Sequence, residues 1–230
     1  MKNIYEGLDI SSWKSGWEPG APVFTGYENE VAAIESKYPV TVSDPDGKAA
    51  PTVFYGASNF RMWKNMDRDL ADYKAQNHGF GGATDVLLMH YAERILLPYG
   101  PSIVVVQSGS NDYMGLTGSL KEKAETSVAL KTRMYDYFHS ALPSARILAL
   151  SALLMPGFAQ ATELSLLINA RLKDLCGQRS RMSFIDADEL TFDGSTYRTE
   201  LFKSDGIHLN RDGQLALCEG FIRPALKELR

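Results

Sequence analysis

Short apolar runs are separated along the chain by longer stretches in which apolar positions recur at helical spacing. The run SIVVVQ at 102–107 is apolar, rich in β-branched residues, and bounded by Pro101 and Gly109. Such a run is typical of a strand that is covered on both faces. The same pattern predicts strands at Thr52–Tyr55, Ser102–Gln107, Ala145–Ser151 and Met182–Asp186.

The stretches between these runs have the length and the one-sided apolar pattern of helices. The pattern predicts helices over 27–38, 59–74, 83–97, 120–142, 160–176 and 212–229. Strands that alternate with helices of this length indicate βαβ units, and therefore a parallel sheet with helices on both faces. The helices are too few for an eight-stranded α/β barrel. The sequence thus predicts the α/β class.

Composition adds limits to this architecture. The chain has 230 residues, of which 44% are hydrophobic and 23% charged, as in an average globular protein. This length predicts a single domain over 1–230, with residues 1–50 as an aromatic-rich N-terminal arm and a helix. The net charge of −4 argues against a dedicated nucleic-acid surface.

Membrane and targeting signals are not evident in the sequence. No apolar stretch approaches the roughly 18 residues that a spanning helix needs. The first residues also lack a basic segment followed by an apolar one, which is the pattern of a signal peptide. We therefore expect no membrane span and a cytoplasmic location, whereas the pattern says nothing about the oligomeric state.

Candidate chemistry lies after the strands, because ligands of open parallel sheets bind outside the carboxyl ends of the strands. Gly56, Ala57, Ser58 and Asn59 follow the first predicted strand and lead into a helix. Ser58 is therefore either a nucleophile in a tight turn or an ordinary helix N-cap, and the segment alone favours neither.

A glycine-rich segment, NHGFGGAT at 77–84, precedes the next helix. Its glycines allow positive φ angles and let backbone N–H groups point into a cavity. A dinucleotide-binding loop is the obvious alternative, but Thr84 stands where the third glycine of that motif belongs. His78 flanks this loop and is a weak candidate for a substrate contact.

Two further segments carry polar groups, one at a strand end and one before the last helix. Asn111 follows the strand at 102–107 as an amide donor, although a turn residue is the common alternative there. Asp205 and His208 stand three residues apart before the last helix, so the carboxylate can reach Nδ1 of the imidazole. The alternative is a surface turn with an unrelated histidine.

Metal and redox chemistry have little support in the sequence. No histidine pair has metal-ligand spacing, and Cys176 and Cys218 fall among apolar residues in predicted helices. We interpret both cysteines as small buried apolar residues.

The four segments together resemble the SGNH/GDSL hydrolase superfamily. GASN at 56–59, NHGFGG at 77–82, GSND at 109–112 and DGIH at 205–208 follow the order and spacing of its four sequence blocks. Other stretches are similar to a bacterial esterase subgroup that resembles platelet-activating-factor acetylhydrolase subunits. The resemblance implies a three-layer α/β/α sandwich with a flavodoxin-like parallel sheet of five strands.

The resemblance also implies roles for individual residues. Ser58 would be the nucleophile, His208 the general base and Asp205 the residue that orients it. The oxyanion hole would comprise the N–H of Ser58, the N–H of Gly82 and the side-chain amide of Asn111. Gly81 is the alternative to Gly82, and no metal or organic cofactor is required.

Ala57 departs from the family pattern, which has an aspartate at this position. The position is neither the nucleophile nor an oxyanion donor, so the departure does not argue against activity. An α/β-hydrolase is a competing class, but Phe60 occupies the position of the second glycine in its GxSxG motif.

The substrate is less well defined. Tyr113, Met155 and Phe158 are candidates for substrate binding, because they lie in or beside apolar loops after strands. We expect a short acyl ester, with an acetyl group on a carbohydrate as the first choice. A lysophospholipid or thioester is the alternative within the class, and a catalytically silent binding module is the alternative outside it.

Overall fold

The computed structural model describes residues 25–40, 50–113 and 116–229. These residues form five strands: β1 (Thr52–Gly56), β2 (Ala75–Gly79), β3 (Ile103–Gln107), β4 (Arg146–Leu150) and β5 (Met182–Ile185). Their order in the sheet is β2-β1-β3-β4-β5, and every neighbouring pair is parallel. The chain reverses its direction of travel across the sheet between β1 and β3, which is the topological switch point.

Helices lie between the strands: α1 (Glu28–Lys37), α2 (Ser58–Arg61), α3 (Met66–Asp69), α4 (Asp85–Ile95), α5 (Ser110–Tyr113), α6 (Leu120–Ala141), α7 (Thr162–Gly177), α8 (Asp188–Thr191), α9 (Arg211–Leu217) and α10 (Arg223–Lys227). Short turns of 3-10 helix lie at Ala71–Tyr73, Leu97–Tyr99, Pro156–Ala161 and Thr199–Leu201. A capping box begins the long helix α6, because the Ser119 hydroxyl accepts from the N–H of Glu122, and the Glu122 carboxylate accepts from the N–H of Ser119.

The sheet separates two apolar cores. Alternate residues of β3 point to opposite faces, so that Val104 and Val106 join one core while Val105 joins the other. The first core also contains apolar side chains of α1, α4 and α6, and the second contains those of α9 and α10. This arrangement confirms the predicted α/β class, the three layers and the five-stranded parallel sheet.

The structure corrects the sequence-based elements in two places on one edge of the sheet. Strand β2 was not predicted, because its sequence AQNHG has few residues that favour strands. The predicted helix over 59–74 is instead the pair of short helices α2 and α3 followed by a 3-10 turn. The side-chain amide of Asn77 donates to the carbonyl oxygens of Phe60 (2.7 Å) and Trp63 (3.1 Å), which a continuous helix would use itself.

The predicted helix over 212–229 is also interrupted. A π-helical turn at Cys218–Ile222 separates α9 from α10. Pro224 follows this turn and has no N–H to donate, so a regular α-helical ladder cannot run through it.

Helix α1 is fixed to the body of the protein by both apolar packing and ion pairs. Val31 and Ile34 are buried, and the Arg94 guanidinium donates to Glu28 (2.6 Å) and Glu35 (2.8 Å). The expected N-terminal arm falls almost wholly outside the described residues. The single domain over 1–230 therefore stays a prediction.

In the described part of the chain, no helix is both long and apolar enough to cross a membrane. The cytoplasmic location stays a prediction.

Candidate active site

Ser58 lies at the carboxyl end of β1, beside the switch point of the sheet. The N-cap of α2 is Ala57, in extended conformation, and its N–H donates to the carbonyl oxygen of Gln107 at 3.2 Å. Ser58 is therefore the first helical residue and not the N-cap, so the N-cap interpretation of this segment is wrong, and its assignment as the nucleophile stays a prediction. Its Oγ lies 2.9 Å from Nε2 of His208.

His208 is held by the loop that precedes α9. Its Nδ1 lies 2.7 Å from Oδ2 of Asp205, and Oδ1 of the same carboxylate accepts from the N–H groups of Ile207 (2.8 Å) and His208 (2.9 Å). The imidazole is mostly covered, with 20% of its side chain exposed, whereas the carboxylate is 41% exposed. Ser58, His208 and Asp205 thus form a continuous hydrogen-bonded chain.

The Asp205 carboxyl group is held in its ionised form. Desolvation raises its pKa, but the hydrogen bonds from the His208 backbone and imidazole, and from the Ile207 backbone, outweigh that effect and lower the pKa to about 2. A carboxylate at this distance keeps the neutral imidazole in the tautomer with its proton on Nδ1, which leaves Nε2 as an acceptor for the serine hydroxyl.

Asn59 joins the serine and histidine segments, a function that sequence reasoning missed. Its side-chain oxygen accepts from the N–H of Leu209 (3.0 Å), and its amide donates to the carbonyl of Ile207 (3.4 Å). These two hydrogen bonds fix the backbone on either side of His208. The sequence signal that could have indicated this function is the position of Asn59 in the GASN block, directly after Ser58.

Gly81 and Gly82, in the segment after β2, differ in the hydrogen bonding of their N–H groups. The N–H of Gly81 donates to the Glu30 carboxylate at 2.8 Å, so it is already used. The N–H of Gly82 makes no hydrogen bond with the residues described, and Gly82 has φ = +69°. Of the two glycines, Gly82 therefore has the available donor. Glu30 comes from α1, which the sequence did not associate with the site.

Asn111 lies in α5, at the end of β3, across the switch point from Ser58. Its amide donates to the carbonyl of Ala83 at 3.0 Å. An amide nitrogen carries two hydrogens, so one remains for a ligand. Ser58, Gly82, Asn111 and His208 line one cleft with a volume of about 390 Å³.

The three candidate substrate-binding residues are divided between two cavities. Phe158 lines both the cleft and an adjoining apolar pocket of about 160 Å³. Tyr113 and Met155 line the adjoining pocket and not the cleft. The structure therefore brings Phe158 alone of the three to the serine.

The other candidate groups lie away from the cleft. His78 is fully buried between Tyr38 and Tyr99, and burial lowers its pKa to about 4, so the expected substrate contact is wrong. Cys176 and Cys218 are buried, as predicted, and burial raises the pKa of each thiol to about 11. Within the described ranges, no group of three or more His, Cys, Asp or Glu side chains could hold a metal ion.

A parallel five-stranded sheet with a serine, a histidine and an aspartate joined at its switch point defines the class of the SGNH hydrolases. The model of the GDSL-like lipase/acylhydrolase family matches residues 47–216, and the chain belongs to this family. The enzymatic class suggested by the resemblance is confirmed. No curated protein matches the chain.

Solved structures show the same fold at low sequence identity. A GDSL-like lipase from Bacteroides thetaiotaomicron has 16% identity and a TM-score of 0.68 over 90% of this chain and 98% of its own. An acetyl-xylooligosaccharide esterase from Geobacillus has 13% identity and a TM-score of 0.59 over 76% and 95%. A family 3 carbohydrate esterase from Talaromyces cellulolyticus has 16% identity and a TM-score of 0.54 over 78% and 97%.

The conformation of Gly82 generates a first prediction. A Cβ at this position would lie 2.7 Å from the Tyr27 hydroxyl, and the positive φ costs a residue with a side chain about 1–2 kcal/mol. We expect Gly82→Ala to lower both the free energy of unfolding and the rate of p-nitrophenyl acetate hydrolysis, measured by denaturant titration and by absorbance.

Gly100→Ala is the matched control. Gly100 also has a positive φ (+51°), but no described atom lies within 4 Å of a Cβ built there. We expect it to lose stability through backbone strain alone and to keep its rate of hydrolysis. Equal loss of rate in the two variants would contradict the special position of Gly82.

Proposed function

We propose that the protein is a serine esterase that cleaves a carboxylic ester through an acyl-enzyme intermediate. The observation that carries this proposal is the chain of hydrogen bonds from Ser58 Oγ to His208 Nε2, and from His208 Nδ1 to Asp205. A serine hydroxyl is a weak nucleophile by itself and needs an adjacent base, which this chain supplies.

In the proposed mechanism, His208 Nε2 accepts the proton of Ser58 Oγ while the oxygen attacks the ester carbonyl carbon. The imidazolium then donates that proton to the leaving alcohol, the C–O bond breaks and the acyl-serine remains. A water molecule repeats the sequence, giving its proton to His208 and releasing the carboxylic acid and free Ser58. Asp205 orients the imidazole and stabilises its charged form throughout.

The negative charge that develops on the carbonyl oxygen requires nearby donors. The proposed oxyanion hole consists of the N–H of Ser58, the N–H of Gly82 and the free amide hydrogen of Asn111. Each preorganised donor of this type contributes about 3–4 kcal/mol to lowering the barrier. The availability of the Gly82 N–H, in contrast to that of Gly81, supports this assignment.

A short acyl ester, above all an acetyl ester on a carbohydrate, is the proposed substrate. The cleft is lined mainly by polar side chains, among them Glu30, Arg61, Ser110 and Asn111. Two structures with the same fold carry names of esterases that act on carbohydrates or acetylated xylooligosaccharides, which supports this choice. The net charge of −4 fits a small-molecule partner rather than a nucleic acid.

A lysophospholipase or thioesterase activity is the second candidate. The adjoining apolar pocket, which opens beside Phe158, favours it because such a pocket can receive part of a longer acyl chain. Its volume of about 160 Å³ limits the length of that chain.

Substitution of the nucleophile tests the proposal. We expect Ser58→Ala to abolish hydrolysis of p-nitrophenyl acetate and labelling by a fluorophosphonate, because no other hydroxyl in the described structure is bonded to His208. Ser110→Ala changes a second serine of the same cleft and is expected to keep most of the rate. The proposal fails if Ser58→Ala retains activity comparable to that of Ser110→Ala.

The acid limb of the pH profile provides a further prediction. The pKa of Asp205 is about 2, so its carboxylate stays ionised until the medium is very acidic. We therefore expect log(kcat/KM) to fall with a slope of one as the pH decreases, because the proposed mechanism needs a single unprotonated base. Circular dichroism over the same pH range is the control for unfolding, and a slope of two would indicate a second titrating group.

Chain length separates the two candidate substrates. We expect kcat/KM to decrease from acetate to butyrate to octanoate p-nitrophenyl esters, since the cleft is polar and the apolar pocket is small. Phe158→Ala removes the side chain shared by the two cavities and is expected to raise the octanoate-to-acetate ratio. A wild-type preference for octanoate would favour the lysophospholipase or thioesterase alternative.

A further inference from the structure

A lysine in the interior of the protein has no place in the proposed chemistry. Lys131 of α6 and Asp85 of α4 form an ion pair whose side chains are 2% and 0% exposed. Desolvation of two charges is costly, and pairs of this kind are often replaced by apolar residues without loss of stability. The contribution of this pair to stability is therefore a weak explanation for its presence.

The ammonium group of Lys131 contacts both loops that carry candidate oxyanion donors. It donates to the two carboxylate oxygens of Asp85 (3.2 and 3.1 Å) and to the hydroxyl of Ser108 (2.9 Å), so all three of its hydrogens are used. Asp85 lies three residues after Gly82, and Ser108 lies three residues before Asn111. One charged group thus links the loop after β2 to the loop after β3.

Two additional hydrogen bonds connect the same loops directly. The N–H of Asp85 donates to Asp112 Oδ1 at 3.0 Å, and the Asn111 amide donates to the Ala83 carbonyl at 3.0 Å. Asp112 is buried, and desolvation together with the nearby Asp85 carboxylate raises its pKa well above the ordinary value. Burial thus favours the neutral form of Asp112 beside the ion pair of Lys131 and Asp85.

We propose that Lys131 is a positioning residue of the oxyanion hole, which acts through Asp85 and Ser108 to fix the spacing between the Gly82 N–H and the Asn111 amide. The inference rests on the proposed function. Donors stabilise an oxyanion only when they are held in place before the charge develops, and small displacements remove much of the benefit. The buried ion pair supplies that rigidity from behind the two loops.

A double-mutant cycle on hydrolysis of p-nitrophenyl acetate tests the inference. We expect Lys131→Met to lower kcat by about 100-fold with little change in KM, since an oxyanion donor acts in the transition state. In the Asn111→Ala background, where that donor is already missing, the same substitution is expected to lower kcat by no more than about threefold. Lys173→Met, which breaks the exposed ion pair with Asp186, is the control and is expected to leave kcat unchanged.

A second variant is needed, because Lys131→Met leaves the Asp85 charge buried without a partner and can destabilise the fold. Ser108→Ala preserves the ion pair and removes only its bond to the β3 loop. We expect it to lower kcat by about tenfold in the wild-type background and to have almost no effect in the Asn111→Ala background.

The outcomes separate the inference from the function on which it rests. Equal losses of kcat in both backgrounds, or losses confined to KM, would overturn the positioning role while the esterase proposal stands. An Asn111→Ala variant with unchanged kcat would instead remove Asn111 from the oxyanion hole, and the inference with it. A loss that shrinks in the Asn111→Ala background supports both.

Discussion

The hydrogen bond between Ser58 and His208 joins residues 150 positions apart, and the rest of the site depends on it. Ser58 is placed by the end of β1, whereas His208 belongs to the loop before α9, near the opposite end of the chain. Asn59 grips that loop on both sides of the histidine, and the Gln214 amide donates to the Met62 carbonyl at 3.3 Å. Hydrogen bonds from α2 and the residue after it to α9 and the loop before it therefore hold His208 next to Ser58.

The carboxylates of Asp205 and Glu30 are each held by hydrogen-bond or ion-pair partners near the cleft. The Asp205 carboxylate faces the imidazole, and its own hydrogen bonds keep it ionised. Glu30 lines the cleft itself, and its carboxylate accepts from the Gly81 N–H and pairs with Arg61 at 3.6 Å. Glu30 lies on α1, outside residues 47–216 that the family model matches, so a helix from outside that region adds a polar group to the cleft.

The buried ion pair of Lys131 and Asp85 lies between the segments that follow β2 and β3. A fully buried lysine and aspartate carry a desolvation penalty that apolar packing would avoid. The ammonium group donates to Asp85, which follows the loop after β2, and to Ser108 in the loop after β3. Asn77 also has a structural cost. Its amide donates to the carbonyl oxygens of Phe60 and Trp63, which a continuous helix would use itself. Asn77 thus satisfies two backbone carbonyls at the expense of a continuous helix, whereas Lys131 satisfies a buried charge from within the regular helix α6.

The sequence by itself determined the central strands, the long helices and the identity of the catalytic candidates. Three consecutive valines, Val104, Val105 and Val106, are typical of a strand covered on both faces, and all three are buried. The spacing of Asp205 and His208 likewise allows their contact within one turn. These features depend on neighbours in the chain, which a sequence displays directly.

Tertiary structure decided what depends on distant partners. β2 is a strand because it pairs with β1, not because AQNHG favours that conformation. The choice of Gly82 over Gly81 rests on Glu30, which is 51 positions from Gly81, and the buried pair of Lys131 and Asp85 spans 46. Hydrogen bonds and ion pairs between remote segments leave no periodic mark in a sequence, so their positions emerge only when the chain is folded.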